Sequence, residues 1–153
     1  MRHLQWILVV GLLLGLPACT TFRGVSAVYP EIVGHPQLSP AIVDSLQPIL
    51  RWKASPEQDA SYDLIIYEGI KTWSLSRGYE RAVGKEVYYR ERFKETEHKI
   101  EEALKPSSEY YWSVRVRRGE QVSAWSVYNY ELFVGVVWVS TRNSLFRFQT
   151  PVN

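Results

Sequence analysis

Residues 110–116, Tyr-Tyr-Trp-Ser-Val-Arg-Val, constrain the fold more than any other stretch of the chain. Tyr110, Trp112, Val114 and Val116 alternate with Tyr111, Ser113, Arg115 and Arg117. A period of two puts the first set on one face of an extended strand and the second on the other, whereas a helix needs a period near 3.6. The same alternation occurs twice upstream. In PILRWK, Leu50 and Trp52 alternate with Arg51 and Lys53, and the turn-forming SPEQDAS follows. In SYDLIIYEG, Tyr62, Leu64 and Ile66 alternate with Asp63, Ile65 and Tyr67. From Pro36 onward the chain is rich in Tyr, Trp and Val, in short runs parted by turn residues, which predicts an all-β domain. Trp52, Tyr110 and Trp112 are the expected aromatic core.

The chain holds 153 residues, 18 basic and 16 acidic, and one cysteine. That length suits one domain, large enough to bury a core without disulfides. The charges are near balance and intermixed, as in 77–105, so they describe a solvated surface and point to no nucleic-acid partner. There is no internal repeat and no low-complexity tract.

The single cysteine, Cys19, lies directly after an apolar run. A basic start, Met-Arg-His, precedes Leu4–Leu16, which only Gln5 interrupts. That run is shorter than the ~20 residues a membrane-spanning helix needs, and it fits the core of a secretory signal. A lone thiol cannot close an internal disulfide. Leu16-Pro17-Ala18-Cys19 resembles the lipobox of bacterial lipoproteins, with Leu16 and Ala18 as the signal-peptidase recognition residues. The resemblance implies cleavage before Cys19, a diacylglyceryl group on its sulfur and acylation of the new amino group. Two or more acyl chains anchor stably, at ~0.8 kcal/mol per buried methylene. Thr20 stands where inner-membrane lipoproteins of enterobacteria carry Asp, so the resemblance favours the outer membrane, facing the periplasm. The expected organisation is a signal peptide over 1–18, a tether over 19–35 and a domain over 36–153. The tether, CTTFRGVSAVYPEIVGH, could reach roughly 55 Å when extended.

The order of the strand signals resembles a fibronectin type III domain, over roughly 36–153. Leu50-x-Trp52 matches the core tryptophan of its second strand. Leu104-x-Pro106-x-x-x-Tyr110 matches the loop and tyrosine corner before its sixth strand. Tyr110-x-Trp112-x-Val114-Arg115-Val116 matches that strand, GEQVSAWS the loop after it, and LFRFQTP the last strand. The resemblance implies a single immunoglobulin-like β-sandwich. Two regions depart from the pattern. Residues 69–96 read as a long connection, in which EVYYRERF alternates enough to be an edge strand. Residues 127–143, apolar and aromatic, intervene before the last strand as a hairpin or a surface patch.

Little in the sequence points to catalysis. His35 and His98 lack metal-ligand spacing and read as solvent-exposed, with His98 on a strand. GYERAVGK has the wrong spacing for a phosphate loop, and no Ser sits in a Gly-x-Ser-x-Gly elbow. Glu101 and Glu102 are adjacent, so on a strand they face opposite ways. The expectation is a non-catalytic module without metal or cofactor beyond the lipid on Cys19. The aromatic surplus is the functional signal. Trp73, Tyr79, Trp125, Tyr128, Tyr130 and Trp138 form the candidate binding patch, with Tyr88 and Tyr89 also outside the expected core. Such rings with nearby Arg anchor protein interfaces or stack on sugars. The partner expected is another envelope protein, or alternatively a polysaccharide such as peptidoglycan, for a module held to the membrane by its lipid.

Overall fold

A computed structural model describes residues 25–29, 40–76, 78–127, 131–134, 137–140 and 144–152. Leu16, Ala18, Cys19, His35, Tyr128 and Tyr130 lie outside the described residues. The described chain is all-β: β1 (Ala27–Tyr29), β2 (Ala41–Ile42), β3 (Ile49–Trp52), β4 (Ser61–Ser74), β5 (Gly78–Phe93), β6 (Glu97–Lys99), β7 (Glu109–Arg118), β8 (Gln121–Val122), β9 (Glu131–Val134), β10 (Val137–Ser140) and β11 (Phe146–Gln149). One sheet has the order β1-β3-β6. The larger has the order β2-β11-β7-β4-β5, with β8 also on β7, and it is mixed because β2 runs parallel to β11.

Register turns the sequence alternation into a shared core. Tyr62, Leu64 and Ile66 of β4 stand opposite Val116, Val114 and Trp112 of β7. Phe146 and Phe148 of β11 stand opposite Trp112 and Tyr110. Directly opposed residues share a face, so these side chains form one apolar layer. Leu50 and Trp52 of the smaller sheet meet it, Trp52 edge-on to Tyr62 with ring centroids 5.6 Å apart. Val43, Tyr88 and Ile100 complete the core. The arrangement is sandwich-like, and Trp52, Tyr110 and Trp112 are buried as the sequence suggests. The indole N–H groups of both tryptophans are buried without an acceptor among the described residues. Two tyrosines tie loops to this core. The Tyr110 hydroxyl accepts the Lys105 backbone N–H at 3.0 Å, and the Tyr62 hydroxyl accepts that of Ser55 at 2.9 Å.

Three findings refine the sequence reading. First, β1 lies within the stretch read as a tether. Ala27 pairs with Trp52, and Val25 donates its N–H to Ser126 Oγ at 3.0 Å. The domain therefore starts by Val25. Second, residues 69–96 are chiefly a long hairpin. Tyr79 pairs with Trp73, and pairing continues back to Phe93 opposite Tyr62. EVYYRERF is indeed in an edge strand, but that strand starts at Gly78. Third, residues 127–143 interrupt a strand rather than extend one. Ser123 and Ser126 donate their N–H groups to the carbonyls of Val116 and Val114, and Phe146 resumes beside Trp112. Residues 121–126 and β11 thus share one position beside β7. Between them β9 and β10 form their own antiparallel pair, with Phe133 opposite Trp138.

Candidate binding surface

The β4–β5 hairpin outruns the sheet that supports it. β7 accompanies β4 only from Ser61 to Glu68, while β4 continues to Ser74. The last six residues form a two-stranded ribbon about 20 Å long. Glycine is needed at its root. A Cβ on Gly69 would stand 2.8 Å from the Glu109 carbonyl oxygen, and the register shifts on both sides of Tyr67. At the tip, Gly78 takes a φ of 71°, a left-handed turn conformation that suits glycine.

Among the described residues no further strand pairs with the ribbon, and its faces differ. On one face Trp73 opposes Tyr79, Lys71 opposes Arg81, and Gly69 opposes Val83. On the other, Ile70 opposes Ala82 and Thr72 opposes Glu80. Trp73 is 59% exposed, Tyr79 83% and Leu75, in the turn, 91%. Arg81 forms an ion pair with Glu109 at 3.0 Å. Lys71 has no acidic partner among the described residues. The first face therefore combines exposed rings with cations, a composition typical of interface anchors.

A second cluster occupies the outer face of the large sheet, near the start of β4. Asp63 is fully buried there. It accepts from Arg115 Nε at 2.7 Å, from Arg117 Nε at 3.0 Å and Nη2 at 2.7 Å, and from the Arg92 backbone N–H at 3.2 Å. Burial alone would raise the Asp63 carboxyl. The hydrogen bonds from Arg117 and Arg115 outweigh it and hold the group below its ordinary value. Trp125 belongs to this cluster. The Arg115 guanidinium lies over its ring at 4.5 Å, and Tyr89 meets it edge-on at 6.5 Å. Trp125 stands ten β4 residues from Trp73, roughly 30 Å along the strand.

A third group links β5 and β6. The His98 ring meets the Tyr88 hydroxyl, which donates to Glu101 Oε2 at 3.1 Å. Arg90 reaches the same carboxylate at 3.2 Å. Burial, aided by Glu101, pushes the Tyr88 phenol up to about 12. Burial pushes the His98 imidazole down, favouring its neutral form. His98 does lie on a strand, but it is half-buried against Phe93, with ring centroids 4.3 Å apart, rather than solvent-exposed. Glu101 and Glu102 follow β6 in a bend rather than on a strand. The arrangement closes a loop by polar contacts and presents no open nucleophile or carboxylate pair.

The structure thus brings Trp73 and Tyr79 together and places Trp125 elsewhere. Trp138 lies in β10, and Tyr128 and Tyr130 fall outside the described residues. Sequence reasoning missed Lys71 and Arg81 as companions of the two rings. Their signal was spacing: two residues before Trp73 and two after Tyr79, they share a face once the hairpin is recognised. Among the described residues no group of His, Cys, Asp or Glu is placed to hold a metal ion, and no helix is long and apolar enough to cross a membrane. No protein-family model, curated protein or solved structure matches the chain.

Proposed function

We propose that this protein is a lipid-anchored cell-envelope lipoprotein whose fibronectin type III-like domain serves as a non-catalytic protein-binding or scaffold module. The observation that carries the reading is the ribbon of β4 and β5, which holds Trp73 and Tyr79 opposite each other in solvent. A monomer seldom exposes large rings side by side without a use for them. The fibronectin type III-like assignment draws on the two-sheet core and on the Tyr110 hydroxyl, which bonds back to Lys105 as in a tyrosine corner. The lipobox resemblance at Leu16, Ala18 and Cys19 supplies the address, outer membrane facing the periplasm.

Site-specific photo-crosslinking tests the binding role. A photoreactive phenylalanine analogue at Tyr79, in the full chain expressed in a bacterium that carries the gene, is expected to give a discrete protein adduct. The same analogue at Gln121, exposed beside the far end of β7, is the control. Equal labelling from both positions, or no adduct from Tyr79, contradicts the proposal.

A further inference from the structure

The ribbon carries a charge pattern that its own fold does not require. Lys71 and Arg81 are directly opposed across β4 and β5. Like charges in that relation destabilise a strand pair. Arg81 is relieved by Glu109 at 3.0 Å, but Lys71 has no acidic partner among the described residues. Beside this pair, Trp73 and Tyr79 are opposed and open to solvent. This face carries Lys71 and Arg81 beside Trp73 and Tyr79, and the Glu109 carboxylate meets both Arg81 and Arg147.

We infer that this face docks an acidic polypeptide segment that also bears apolar side chains, with Lys71 meeting a carboxylate and Trp73 and Tyr79 packing on the apolar side chains. The inference rests on the binding-module reading above and names the partner's chemistry. Charge complementarity selects an acidic partner. It disfavours a second copy packed face to face, because that would gather the cations of two such faces. A polypeptide is favoured over a glycan by the backbone. Beyond Glu68 β4 has no strand neighbour but β5 among the described residues, so its other edge offers N–H and C=O groups with no ladder partner there. An extended chain can satisfy these in register, as strand addition does elsewhere.

Position argues against the lipid surface as occupant. Val25 bonds to Ser126, and Ser26 accepts the N–H of Lys53, just after β3 and close to the start of β4. Residues 19–24 cannot span more than about 20 Å. The ribbon tip lies thirteen residue steps along β4 from Ser61, roughly 40 Å away. The first described residues and the aromatic tip therefore lie toward opposite ends of β4.

The test uses the full chain, extracted from a bacterial host in neutral detergent and immobilised. Its probe is a random copolymer of glutamate and tyrosine, titrated at moderate salt. Wild type is expected to bind it in a salt-sensitive way. Lys71→Glu, Trp73→Ser and Tyr79→Ser are each expected to weaken binding on the order of tenfold, with the fold retained and melting temperatures moved only by the cross-strand pair each one changes, upward for Lys71→Glu opposite Arg81. A lysine–tyrosine copolymer is expected not to bind. Absence of binding, or binding that survives all three changes, overturns the inference. So does equal binding of polygalacturonate, which assigns the face to anionic glycans. Binding of phosphatidylglycerol vesicles through Trp73 assigns it to lipid and overturns it likewise. The intact mass of the same preparation reports lipid on Cys19 independently. A lipidated chain that ignores the copolymer sinks only this inference, and a non-lipidated chain that binds it sinks only the anchor.

Discussion

Replacing Asp63 by Asn keeps the side chain's volume and removes its charge, at a site where four hydrogen bonds converge from Arg92, Arg115 and Arg117. Asn offers one acceptor oxygen in place of two, and its amide N–H groups face guanidinium donors. Arg117 has a side chain only 10% exposed and would keep Glu91, at 3.1 Å, as its remaining carboxylate. Breaking one partner out of a buried ion cluster typically costs 3–5 kcal/mol, because the charge left behind stays desolvated. Against a total stability of about 5–15 kcal/mol, that loss is large. It corresponds to a fall in melting temperature of roughly 10–20 °C for a domain of this size. Urea unfolding followed by tryptophan fluorescence measures it, and the midpoint should shift with little change in slope. Replacing Asp63, Arg115 and Arg117 together by apolar residues of similar volume is expected to recover most of the loss. A cost below about 1 kcal/mol for Asp63→Asn would refute the reasoning, since it would mean that the cluster is solvated or dispensable.

Three further expectations follow from single contacts. Tyr110→Phe removes the acceptor of the Lys105 N–H and should cost about 1–2 kcal/mol in chemical denaturation, without loss of the fold. Gly69→Ala places a methyl group 2.8 Å from the Glu109 carbonyl oxygen, so it should destabilise the domain by about 1–3 kcal/mol, visible as a lower melting temperature. His98 and Asp63 both have folded-state pKa values below their ordinary 6.5 and 3.8. The unfolded chain then binds more protons through those ranges, so stability falls as pH falls. Unfolding midpoints measured across pH should drop first near and below 6.5, a step that His98→Asn removes, and again below 3.8.

The core was legible in the sequence because β3, β4 and β7 each set large apolar side chains at alternate positions facing the core, although the other face of β4 and β7 is also buried at Asp63, Ile65, Ser113 and Arg117. Leu50, Trp52, Tyr62, Leu64, Ile66, Tyr110, Trp112, Val114 and Val116 could be assigned from period two alone. The outer half of the hairpin was not legible for the opposite reason. Residues 69–74 and 78–86 include no fully buried side chain, so no apolar alternation is imposed on the sequence, and GIKTWSLSRGYERAVGK reads as a connection. Asp63 looked like an ordinary polar position between Tyr62 and Leu64. Its burial depends on Arg115 and Arg117, which only the β4–β7 register brings opposite and adjacent. Trp125 was grouped with Trp73 by residue type, whereas the structure stacks it beneath Arg115. The start of the domain was misjudged because β1 is three residues long and its pairing with β3 leaves no periodic trace.

The central claim, a binding module held to the envelope through Cys19, is tested most directly by the intact mass of the full chain from fractionated membranes, beside Cys19→Ala. The expected result is a wild-type product in the membrane fraction that begins at Cys19 and carries a lipid-sized mass increment, with the increment absent in the variant. A soluble, unmodified wild-type product would contradict the account.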